Sequence, residues 1–166
     1  MARFRIYNGP APTTAAQAVV TTGAVIKTLL QLKPFNTIKI NAWGISFDGS
    51  AAAAGIKCEL LDTGTVFATV TASADVDVLK LDAVEDAAAS VAGLALGTSA
   101  TGYTCTSEGS ITTSRVFDAQ LVQPTNQYIY QWPLGQEPKG IIGNAIRVRV
   151  TAAAAVNAYC WIEFTV

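Results

Sequence analysis

The residues that could do chemistry are few, and their spacing decides what they could do. The densest charge cluster is Asp75, Asp77, Asp82, Glu85 and Asp86. A hard divalent cation takes several oxygen ligands at defined loop spacing. Asp75-x-Asp77 begins such a pattern, but the glycine and the closing glutamate of an EF-hand loop are absent. The cluster therefore reads as a solvated acidic face, and neither a metal nor a cofactor is expected. Histidine is missing altogether, which removes the Ser-His-Asp and Cys-His arrangements and imidazole metal sites. The glycine-containing stretches around 93–97 and 97–102 lack the Gly-Lys-Ser/Thr ending of a phosphate loop. There is no Gly-x-Ser-x-Gly elbow. No catalytic residue is nominated, and the chain is read as a non-enzyme.

Aromatic residues give the sharper signal. Tyr128, Tyr130 and Trp132 alternate with Ile129 and Gln131, so the three rings share one face of a strand. That face is either core, with Ile129 outward, or an exposed platform for sugars or protein partners. Tyr159 and Trp161 lie opposite a fully apolar strand face and are expected on an outer face or in a subunit contact. Arg147 and Arg149 share a strand face and are expected to pair with Glu163 across a hairpin in a solvated ion pair. Cys58 and Cys160 fall in phase with apolar neighbours and read as buried thiols, whereas Cys105 is expected near a loop.

These side chains need strands to position them, and the dominant period is two. Residues 145–151 and 157–166 alternate cleanly and predict an antiparallel hairpin across 152–156, although four alanines are unusual turn chemistry. Residues 36–48 alternate with a phase change near Ala42, Trp43 and Gly44, which predicts a bulge or a corner. Residues 56–61 and 65–72 predict a second hairpin around Asp62-Thr63-Gly64. Further strands are expected at 3–7, 25–32, 115–122 and 127–132. The total of eight or nine strands points to an all-β antiparallel sandwich or barrel. Segment 73–113 reads as a long connection, with 83–92 its only helix-like stretch.

The 166 residues suit one domain: an extended arm over 1–24, followed by a sandwich over 25–166. Charged residues are 14% and the formal net charge is −1. Without a basic face, nucleic acid is not an expected partner. No run of 18 apolar residues marks a transmembrane helix, and no signal peptide follows Arg3 and Arg5. Low charge also weakens the usual protection against self-association, which suggests a surface meant to be covered.

Three stretches resemble small virion proteins of tailed bacteriophages. They are Ala42-Trp-Gly-Ile-Ser-Phe-Asp-Gly-Ser-Ala-Ala-Ala-Ala-Gly-Ile-Lys57, Tyr128-Ile-Tyr-Gln-Trp-Pro-Leu-Gly135 and Ile146-Arg-Val-Arg-Val-Thr-Ala-Ala-Ala-Ala-Val-Asn-Ala-Tyr-Cys-Trp-Ile-Glu-Phe164. The resemblance is to head decoration, or minor capsid, proteins with jelly-roll or tumour-necrosis-factor-like sandwiches. It implies a homotrimer made in the host cytoplasm that stands on the major capsid protein at the capsid exterior. It carries over no functional residue. The candidates for subunit or capsid contact are Arg3, Phe4, Arg5, Tyr7, Tyr128, Tyr130, Trp132, Tyr159 and Trp161. Two other readings stay open: a carbohydrate- or receptor-binding module of a head or tail fibre, and a tail-tube or connector protein.

Overall fold

The computed structural model describes residues 2–49, 53–82 and 93–166. The helix-like stretch 83–92 lies outside the described residues. The chain folds as two antiparallel sheets packed face to face, an all-β sandwich. Its strands are β1 (Arg3–Tyr7), β2 (Val20–Thr21), β3 (Ile26–Leu32), β4 (Ile38–Phe47), β5 (Ile56–Asp62), β6 (Thr69–Ala72), β7 (Val78–Lys80), β8 (Gly102–Ser107), β9 (Arg115–Val122), β10 (Gln127–Gln131), β11 (Lys139–Gly140), β12 (Ile146–Thr151) and β13 (Asn157–Thr165). One sheet, called A, runs β10-β4-β13-β1-β7, with β11 beside β4 and β2 beside β13. The other, sheet B, runs β6-β8-β3-β12-β5-β9.

Among the described residues thirteen strands stand where eight or nine were expected. Of the unexpected ones, β2, β7 and β11 have two or three residues and β8 has six. β7 and β8 lie inside the segment read as a connection over 73–113, where a single 3-10 turn at Asp75–Asp77 precedes β7.

Both expected hairpins are absent. β12 pairs with β3 and β5 in sheet B, while β13 pairs with β4 and β1 in sheet A. The link at 152–156 is therefore a crossover between layers, consistent with its lack of a hairpin turn residue. Crossing over sets Ile146, Val148 and Val150 against the same core as Ala158, Cys160, Ile162 and Phe164, with all seven buried. A hairpin would have placed both apolar rows side by side in one sheet. In the same way, β5 pairs with β12 and β9, and β6 pairs with β8.

The predicted phase change in β4 is a bulge at Asn41: Ala42 faces Glu163, whereas Ile40 faces Phe164. It lets Ile38 and Ile40 on one side, and Trp43, Ile45 and Phe47 on the other, all enter the core.

The arm expected over 1–24 divides. Arg3–Tyr7 is an interior strand of sheet A, between β13 and β7, with Phe4 and Ile6 buried and the Phe4 ring stacked on Phe164 at 5.7 Å. Alternating apolar residues make it a core strand, so the stretch between β1 and β2, which bends at residues 8–9 and 13–15, lies outside the strands. That stretch is tethered where the Ala11 amide donates to Asp77 (2.8 Å) and the Tyr159 hydroxyl donates to Gln17 (2.8 Å).

Candidate protein-binding surface

Sheet A turns an aromatic face outward. Strand register sets Tyr7, Trp161, Gly44 and Ile129 in one row across four strands. Gly44 is required there: a Cβ at this position would meet the Trp161 ring at 2.7 Å. The ring thus lies down over Gly44, next to Ile129, which is 56% exposed. The next row sets Arg5, Glu163, Ala42 and Gln131 side by side. Arg5 pairs with Glu163 at 2.8 Å, and its guanidinium lies 4.4 Å from the centre of the Trp161 ring. Burial alone would lower the Arg5 pKa, but bonds to Tyr7 and Glu163 outweigh it and raise it. Tyr7 and Tyr159 hold their rings 5.1 Å apart.

On one side of the sandwich the edge strands are β6 and β7; on the other they are β9 and β10. The chain passes between them through a turn in which Asn126 N–H donates to the Gln123 carbonyl, with Pro124 at the first corner. Tyr128 and Tyr130 pair with Ile45 and Trp43, so they point to the inner side of sheet A, and Ile129 points outward. Asp118 on β9 closes the seam. Its Oδ2 accepts the Trp43 indole N–H (3.0 Å) and the Tyr128 hydroxyl (2.8 Å). Burial, then the Asp118 carboxylate, pushes the Tyr128 phenol up to about 12. Val116 and Leu121 pair with Leu61 and Lys57 and point out from sheet B, 50% and 70% exposed, while Tyr130 is 39% exposed at the edge of sheet A. β9 is eight residues long and, apart from Arg115 and Asp118, uncharged; it contains neither lysine nor proline. Those are two of the usual means by which edge strands avoid pairing with other chains.

Sheet B treats its outer face differently. Arg147 is fully buried beneath the chain that follows β5 and β8. It donates to the Val66 carbonyl, to the Glu108 carbonyl (2.9 Å) and to the Glu108 carboxylate (3.2 Å). The same carboxylate accepts the Thr28 amide and the Thr28 hydroxyl. Burial lowers the Arg147 pKa, and Glu108 opposes the shift. Gln31, also buried, bridges to Ala68 and Ala100. Arg149 bonds Glu59 at 2.9 Å. The pairing expected between Arg147 or Arg149 and Glu163 therefore does not form, because Glu163 belongs to the other sheet. These buried polar groups hold the loops down, although the Arg147 Nε has no hydrogen-bond partner.

Of the sequence-predicted contact residues, Phe4 is in the core, since its strand alternates inward at that position. Arg3 is exposed and bonds Asp82 at 2.9 Å. Arg5, Tyr7, Tyr159 and Trp161 gather on the outer face of sheet A. Tyr128 is a seam residue, and Tyr130 meets Trp132 edge-on at 5.0 Å near the rim. Sequence reasoning missed Asp118, Gly44, Val116 and Leu121. Alternation on β9 was legible, but its place at an edge was not.

Asp77 and Asp82 of the acidic cluster bond protein groups, while Glu85 and Asp86 lie outside the described residues. Cys58 and Cys160 are buried as expected. Cys105 is buried too, rather than near a loop, and burial pushes its thiol up to about 11. No family model matches this chain, and neither curated proteins nor solved structures yield a match.

Proposed function

We propose that this chain is a structural virion protein that self-associates, as a trimer, and binds the outer surface of a phage capsid. In this reading the sandwich is a jelly-roll of the decoration-protein type, and the major capsid protein is its partner. The observation that carries the reading is the side of the sandwich where β9 and β10 end the two sheets, with Val116 and Leu121 exposed on one strand and Ile129 and Tyr130 on the other. Such an edge offers unpaired backbone groups and apolar side chains together, which favours burial against another chain. The phage context rests on the sequence resemblance. The mechanism is cementing: binding joined capsomers better than separated ones stabilises the shell by mass action. Quantitative mass spectrometry of purified virions tests it. Hundreds of copies in multiples of three are expected; a few copies, or none, would refute it.

A further inference from the structure

A groove of about 290 Å³ lies beside the outer edge of sheet A, under the 132–137 loop. Asn41, Lys39, Glu163 and Thr165 come from β4 and β13, Arg3 from β1, and Gln131, Trp132 and Glu137 from β10 and the loop. The loop is tightly built. The Trp132 amide donates to the Asn41 carbonyl (2.9 Å), the Gln136 amide to the Pro133 carbonyl (3.0 Å), and the Gly135 amide to the Glu137 carboxylate (2.9 Å). Gly135 sits at φ +86°, a conformation that favours glycine. Tyr130 braces the Trp132 ring edge-on, with the two planes 82° apart. Trp132 thus enters the groove from a fixed support.

We infer that this groove binds a neutral sugar, a role beyond capsid attachment and independent of it. Three features select that chemistry. First, Trp132, otherwise packed against the core, leaves part of its side chain at the wall, against which the C–H face of a pyranose packs. Second, the charges balance: Arg3 and Lys39 against Glu137 and Glu163. An anionic ligand would want a cationic surplus, and a cation the reverse. Third, the groove offers donors and acceptors together. Among the described residues, the Gln131 side chain makes no hydrogen bond, and the Asn41 amide uses only its oxygen, accepting from Thr165 at 3.4 Å. Both amides therefore keep capacity for hydroxyl groups, which donate and accept at once. The volume sits at the small end of the range for ligand sites, roughly 300–1,000 Å³, and suits a monosaccharide.

The test follows the backbone amide resonances of residues 131–137 by NMR, which remain in every variant, while glucose, galactose and N-acetylglucosamine are titrated separately. A saturable shift with a dissociation constant on the order of millimolar is expected for at least one of them. Trp132→Ala should weaken binding about tenfold or more, and exposed Gln131→Ala several-fold with an unchanged melting temperature, as expected when stacking and hydrogen-bonding contacts are removed. Trp161→Phe should leave binding unaltered. No saturable shift with any of the three sugars, tighter binding of N-acetylneuraminic acid than of all three, or full binding by both Trp132→Ala and Gln131→Ala would overturn the inference.

Discussion

The two outer faces of this sandwich start from similar strand patterns and end differently. Both carry arginine at alternate positions: Arg3 and Arg5 on β1 in sheet A, Arg147 and Arg149 on β12 in sheet B. On sheet B, chain from both neighbouring loops lies over the strand, and Arg147 has no exposed side-chain surface. On sheet A, Arg5 keeps 29% of its side-chain surface exposed and rests on Trp161. What differs is the cover. A buried arginine must be given acceptors or it is very costly, and Val66 and Glu108 supply them. A half-exposed arginine on an aromatic ring needs no such enclosure and leaves its face available to a partner. The same alternation therefore yields a structural clamp on one layer and a partly exposed aromatic face on the other.

Removing the clamp should have the largest effect. Arg147→Ala leaves Glu108 partly buried without its cation, and breaking such a pair costs about 3–5 kcal/mol. Chemical denaturation should show it as a lower midpoint at unchanged slope. A loss below about 1 kcal/mol would mean that the loops do not depend on Arg147. Asp118→Ala comes next. It strands the Trp43 indole and the Tyr128 hydroxyl, at about 1–3 kcal/mol for an unmet buried donor. It should also return the Tyr128 phenol toward the usual value near 10, visible by ultraviolet titration. Stability from the neutral phenol is present below the ordinary tyrosine value and fades as pH rises through about 12 in the wild type.

On sheet A the expected cost is local. Gly44→Ala drives a methyl group into the Trp161 ring, and such overpacking costs about 1–3 kcal/mol. Its signature is a red-shifted tryptophan emission, because the ring must lift toward water. Unchanged emission and stability would mean that Trp161 does not need the glycine beneath it.

A smaller, pH-dependent effect belongs to Glu59. Burial alone would raise its pKa, but bonds from Lys57 and Arg149 outweigh burial and lower it. A carboxylate held below its ordinary value stabilises the fold above the unfolded pKa, and that stability is lost as pH falls through the folded one. Glu59→Gln should therefore be less stable than wild type at pH 7, and the gap should close below about pH 4. A gap that persists into acid would assign the effect to packing instead.

The sequence made the individual long strands legible but not their partners. β1 and β9 carry alternation strong enough to place both ends where the structure has them. Alternation says which side chains share a face; it does not say which sheet that face belongs to. β12 and β13 were therefore paired by proximity when they belong to opposite layers. β2, β7 and β11 have only two or three residues each, too few for a period to register. The site followed the same limits. Tyr159 and Trp161 were placed on an outer face because their opposite face was fully apolar. Tyr128 and Tyr130 could not be placed, since both sides of β10 carry large apolar residues. Asp118 gave no signal: a carboxylate on an alternating strand looks solvated until the Trp43 indole is found against it.

The central claim, that the side of the sandwich edged by β9 and β10 is where copies of this chain meet, is tested most directly by mass in solution. Sedimentation velocity should give a trimer for the wild type, and a folded monomer, by circular dichroism, for Leu121→Lys combined with Ile129→Lys. A wild type that stays monomeric at high concentration, or a double variant that remains a trimer, would contradict it.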